Sequence, residues 1–164
     1  MSKDVVLGGK IPNVNFGYLD EGQVRSISAR KVFEYHRAIV LGVPGAFTPS
    51  CTQLYVPDFI RNAARLRASG FSELICIVPN DPFVAKAWAD MLDPQQKLTF
   101  LSDGNLDFAT ALGMTSHNRQ LFGCKRCERY LMTVEDGVIV RLRSEPEGAS
   151  ATLPTSAIAE VAYI

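Results

Sequence analysis

The chain reads as an α/β protein: a central mixed β-sheet flanked by helices, with an N-terminal extension before it. Three observations predict this. Two apolar, β-branched runs, Ala38 to Val43 and Glu73 to Val78, are too uniformly apolar for a sheet face open to water. Each is followed by a stretch with helical spacing of apolar residues. Near the end, Glu135-Asp136-Gly137 separates two further apolar runs and signals a hairpin.

The elements follow in order. Gly8, Gly9, Pro12 and Gly17 punctuate an irregular start. The 38–43 strand stops at the breaker pair Pro44-Gly45. From Ser50, the residues Leu54, Phe59, Ile60, Ala63, Ala64 and Leu66 approximate one helical stripe, closed by Ser69-Gly70. After the 73–78 strand, Asn80-Asp81-Pro82 supplies a cap and an early proline for a helix through Trp88 to about Met91. Leu98 to Leu101 is a short strand, and Asp103-Gly104-Asn105 turns into a helix over Leu106 to Leu112. Tyr130 to Val134 and Val138 to Leu142 form the hairpin, and Pro154 to Val161 a closing helix. Right-handed crossovers make the successive early strands parallel.

Composition narrows the function classes. The 164 residues carry 17 basic and 17 acidic side chains, so the basic footprint of a nucleic-acid binder is absent. A polybasic membrane patch is excluded on the same ground, and no apolar run is long enough to span a bilayer. With 47% hydrophobic residues and no linker, repeat or low-complexity tract, residues 1–164 read as a single domain. The start lacks secretory or transit character, so the expected setting is cytoplasmic, or organellar where a transit peptide precedes this numbering. Four cysteines in such a chain are reactive or buried thiols rather than a disulfide scaffold.

The informative segment is Pro44-Gly45-Ala46-Phe47-Thr48-Pro49-Ser50-Cys51. It sets Cys51 just after a strand and at a helix start, where unpaired N–H groups and the dipole favour a thiolate. Thr48 lies one turn earlier, and two prolines stiffen the loop.

These eight residues resemble the peroxiredoxin signature Pro-x-x-x-Thr-x-x-Cys, in the form found in the atypical type II (peroxiredoxin five) subfamily. Val78-Pro79-Asn80-Asp81-Pro82-Phe83-Val84 with Trp88, Leu101-Ser102-Asp103-Gly104-Asn105, and Arg129-Tyr130-Leu131-Met132 running into the hairpin are similar to that subfamily in the same order. The resemblance covers about residues 5 to 164. It implies a thioredoxin-like fold, no cofactor or metal, and reduction of hydrogen peroxide and alkyl hydroperoxides by Cys51. It also implies roles for the other residues: Thr48 and Arg129 as donors to sulfur and peroxide, and Pro44 as a shield. Phe47, Phe122 and Gly45 are candidate pocket or dimer-contact residues, since related proteins form homodimers through this face.

The remaining thiols divide. Some subfamily members carry a resolving cysteine after the hairpin, where this chain reads Glu145 to Pro154 without one. The resemblance therefore points to an external reductant, glutathione with glutaredoxin or thioredoxin. Cys76 sits among Leu74, Ile75, Ile77 and Val78 as a core residue would, although plant-like members resemble it in a cysteine with a role in turnover. Cys124-Lys125-Arg126-Cys127 precedes a strand rather than opening a helix, and supplies only two of the four ligands of a zinc site. His36 and His117 have no ligand spacing to each other. If 127 to 134 is extended, Cys127 and Arg129 share a face, and Cys127 is a candidate to resolve the Cys51 sulfenate. The alternatives to a peroxidase are a peroxide-sensing relay through Cys51 and a thiol–disulfide oxidoreductase using Cys124 and Cys127.

Overall fold

The computed structural model describes residues 8–122 and 125–145. Seven strands form one sheet: β1 (Asn15–Asp20), β2 (Gln23–Ser28), β3 (Arg37–Gly42), β4 (Glu73–Val78), β5 (Thr99–Ser102), β8 (Arg129–Glu135) and β9 (Val138–Glu145). Their order is β2-β1-β5-β4-β3-β8-β9. The β3–β4 and β4–β5 pairs are parallel, as the crossover argument requires, and β8 runs antiparallel to β3. A separate ribbon joins β6 (Thr115–His117) to β7 (Lys125–Cys127).

Alternation along the central strands feeds two apolar layers. Ile39, Leu41, Leu74, Cys76, Val78 and Leu131 face one layer, covered by α2 (Val56–Arg61), α3 (Ala63–Ala68) and α4 (Pro82–Leu92). Val40, Ile75, Ile77, Tyr130 and Met132 face the other, covered by α1 (Ala29–Phe33) and α5 (Asp107–Ala111). Burial on both faces is what the two β-branched runs required.

The structure departs from the sequence expectation in three places. The irregular start contains the β1–β2 hairpin and α1. The strand β2 is largely exposed, so it carries no apolar alternation to detect. Its turn is Glu21-Gly22, both at positive φ, which is the hairpin geometry without the usual Asn or Asp. The helix expected from Ser50 to about Ser69 is a π-helical turn over Cys51–Tyr55, then α2, then α3 after a break at Asn62. The β6–β7 ribbon is too short and polar to give a strand signal. The closing helix expected at Pro154 to Val161 lies outside the described residues.

One irregularity matters for the site. The β8–β9 register runs Glu135↔Val138 and Val134↔Ile139, then shifts to Thr133↔Arg141, so Val140 is an extra residue in β9. Beyond this bulge Arg129 lies opposite Glu145.

Candidate active site

The loop between β3 and the Cys51 turn is fixed from several directions. Gly42 ends β3 where a Cβ would meet the Tyr130 ring at 2.0 Å, so only glycine admits that ring. The Val43 N–H donates to Ile77 O at 3.1 Å. The Ala46 N–H donates to Asn80 Oδ1 at 2.8 Å. From the β6–β7 ribbon, Cys127 Sγ donates to Val43 O at 3.0 Å and Arg126 Nη1 to Pro44 O at 3.4 Å. The Arg126 guanidinium lies against Gly45, where a Cβ would meet Nη1 at 2.6 Å. Beyond the nucleophile, the Trp88 indole N–H donates to Thr52 Oγ1 at 3.1 Å. Four hydrogen bonds, from β4, the turn after it and the β6–β7 ribbon, thus hold a loop that two prolines already stiffen.

Within this frame the sulfur of Cys51 is almost fully buried. Burial pushes its thiol above the ordinary value. The Thr48 hydroxyl, the Arg129 charge, a backbone hydrogen bond at Gly45 and the Arg126 charge pull it down, in that order of size. The helix start therefore does not by itself deliver a thiolate, because desolvation opposes it. Thr48 Oγ1 donates to Gly45 O at 2.7 Å. A hydroxyl has one proton, so in this orientation it accepts from the S–H; turned toward sulfur, it donates to the thiolate.

Arg129, the first residue of β8, is itself buried. Its Nε and Nη2 donate to Glu145 Oε2 at 3.2 and 2.9 Å, and its guanidinium carbon lies 4.0 Å from the centre of the Tyr55 ring. A carboxylate on one edge and an aromatic face beneath fix the plane of the fork.

The expected site residues are distributed as follows. Cys51, Thr48 and Arg129 come together, and Pro44 and Gly45 are buried in the same loop. Phe47 is half-exposed at positive φ with its ring 6.4 Å from Trp88. Phe122 is 100% exposed and walls no enclosed pocket among the described residues. Cys76 is fully buried in the layer that holds Cys51, and burial raises its thiol well above the ordinary value. Cys124 lies outside the described residues. The shared face expected for Cys127 and Arg129 is corrected: Glu128 interrupts the chain between β7 and β8, its N–H bonded to Met114 O. That break reverses the alternation, so Cys127 packs with Tyr130 and Met132 in the opposite layer from Cys51.

Sequence reasoning missed Tyr55, Asn80 as a loop anchor, Arg126 and Glu145. Tyr55 had an available signal, since it stands four residues after Cys51 and so on the same helical face.

Comparison with known proteins agrees with this geometry. The family described as Redoxin matches residues 7–159. Peroxiredoxin-2E-2, chloroplastic, from Oryza sativa subsp. japonica is 34% identical over 153 residues, covering 90% of this chain and 68% of that protein. The crystal structure of reduced Prx3 in complex with H2O2 from Vibrio vulnificus superposes with a TM-score of 0.88 at 27% identity, covering 96% of this chain and 99% of that one. Peroxiredoxin 5 from Alvinella pompejana gives 0.78 at 30% identity, over 88% and 91%. A buried cysteine between a threonine and an arginine, on a two-layered mixed sheet, is thus found in a chain that belongs to the Redoxin family and, within it, to the peroxiredoxins, thiol-dependent peroxidases of thioredoxin-like fold.

Proposed function

We propose that Cys51 is the peroxidatic nucleophile and that its substrates are hydrogen peroxide and small alkyl hydroperoxides. The observation that carries this reading is the convergence of Thr48 and Arg129 on the Cys51 sulfur. The thiolate attacks the terminal peroxide oxygen in line. An S–O bond forms, the O–O bond breaks, and sulfur is oxidised by two electrons to a sulfenic acid. The departing oxygen takes up the equivalent of the proton that the thiol released on ionising, and leaves as water or alcohol. Arg129 supplies a fixed positive charge beside the growing negative charge, and Thr48 turns its hydroxyl from Gly45 O to the reacting atoms. Pro44 and Gly45 keep bulk water from the sulfur.

The sulfenic acid is returned to thiol by an external thiol, glutathione with glutaredoxin or thioredoxin. Two facts support this. Residues 146–154 contain no cysteine, and Cys127 lies in the other core layer. The exposed Phe47 and Phe122 support a homodimer contact. The setting proposed is the cytoplasm, with an organelle as the alternative given a rice relative named chloroplastic. Among the described residues no helix is long and apolar enough to cross a membrane.

Stopped-flow peroxide consumption tests the reading with each reductant in turn. Wild type is expected to turn over rapidly and Cys51→Ser not at all. Slow, stoichiometric oxidation of wild type would instead assign a sensing role.

A further inference from the structure

Tyr55 is 2% exposed, and its hydroxyl is buried without a hydrogen-bond partner. An uncompensated buried hydroxyl is disfavoured in a folded protein and calls for a reason. The Thr133 and Ser144 hydroxyls share that state, but they belong to the β8–β9 pair. Tyr55 stands four residues beyond Cys51 on the same helical run, so the two side chains rise on one face. Its ring carries the Arg129 guanidinium at 4.0 Å. The charges that act on its phenol are those of Arg129, Glu145 and Cys51.

Thr48 Oγ1 is bonded to Gly45 O, and Arg129 Nε and Nη2 to Glu145. Burial holds the Tyr55 phenol above its ordinary value, so it keeps its proton throughout the working range of a thiol.

Resting on the Cys51 reading, we infer that Tyr55 is a catalytic residue whose hydroxyl donates a hydrogen bond to the oxygen that Cys51 takes from the hydroperoxide. No proton is transferred from the phenol. As the S–O bond forms and the O–O bond breaks, the transferred oxygen becomes the partner that the hydroxyl lacks in the reduced protein. The interaction is therefore stronger in the transition state and the sulfenic acid than in the thiol form, which is the condition for it to raise the rate.

The test is Tyr55→Phe, which removes the hydroxyl and retains the ring beneath Arg129. Stopped-flow measurement of the second-order rate constant with hydrogen peroxide is expected to show a loss of about tenfold or more. The pH midpoint of Cys51 alkylation is expected to stay in place, and the urea midpoint of the reduced protein to be unchanged or raised. A rate constant within twofold of wild type overturns the inference. A lowered urea midpoint also overturns it, because the hydroxyl would then hold a partner in the resting fold. Wild type lacking Cys51-dependent peroxide consumption would sink the parent reading and this inference together; full activity in Tyr55→Phe sinks this inference alone.

Discussion

Arg129 enters the site with its charge already shared, since two of its N–H groups are given to Glu145. The two residues are therefore expected to have opposite effects on the Cys51 thiol and the same effect on the reaction. Peroxide reduction rises with pH as the thiol ionises and then levels off. Arg129→Gln removes an attraction for the thiolate, so its rise moves to higher pH, and the plateau falls about a hundredfold with the loss of a charged donor. Glu145→Gln removes the counter-charge, so the rise moves to lower pH, while the plateau still falls because the fork is less firmly held. Stopped-flow rates across pH separate the two, and parallel shifts would refute the scheme. Cys51, Thr48 and Arg129 were legible because the first two sit in one short segment and the third in a recognisable hairpin. Tyr55 was not, because an aromatic at helical spacing reads first as core, and its unpaired hydroxyl exists only in three dimensions.

At the level of elements, β3 and β8 meet where Gly42 lies under the Tyr130 ring. Gly42→Ala places a Cβ inside that ring and is expected to destabilise the fold by about 1–3 kcal/mol or more, read as a lowered urea midpoint. Activity should fall with it, since the loop to Cys51 begins at the next residue. The central strands and α4 were legible because burial on both faces and the Asp81 cap leave strong local patterns; the Asp81 side chain does accept from the Val84 N–H at 2.9 Å. The β6–β7 ribbon was not, because its short strands work through what they touch. Its residues Arg126 and Cys127 hold the carbonyls of Pro44 and Val43, a clamp that no local pattern encodes. The break at Asn62 was equally hidden, since the apolar stripe runs on through it.

Across the whole molecule the sheet separates two chemical territories. Cys51 and Cys76 belong to one layer and Cys127 to the other. Phe122 belongs to neither, with its side chain fully exposed at positive φ. Under the homodimer proposed above, Phe122→Asp is expected to leave the unfolding midpoint unchanged and to shift sedimentation toward the monomer; an unaltered dimer would remove this residue from the contact. The bulge at Val140 reaches furthest of all. Were Val140 paired in register rather than bulged, the turn at Asp136-Gly137 would bring Ser144, not Glu145, opposite Arg129. The same amino acids in an unbulged hairpin would give the guanidinium a neutral neighbour and leave its positive charge unshared. The site's electrostatic balance is in this sense a matter of counting along a strand, so homologues that differ in whether this strand bulges can differ in thiol reactivity without a single change among the residues that line the site.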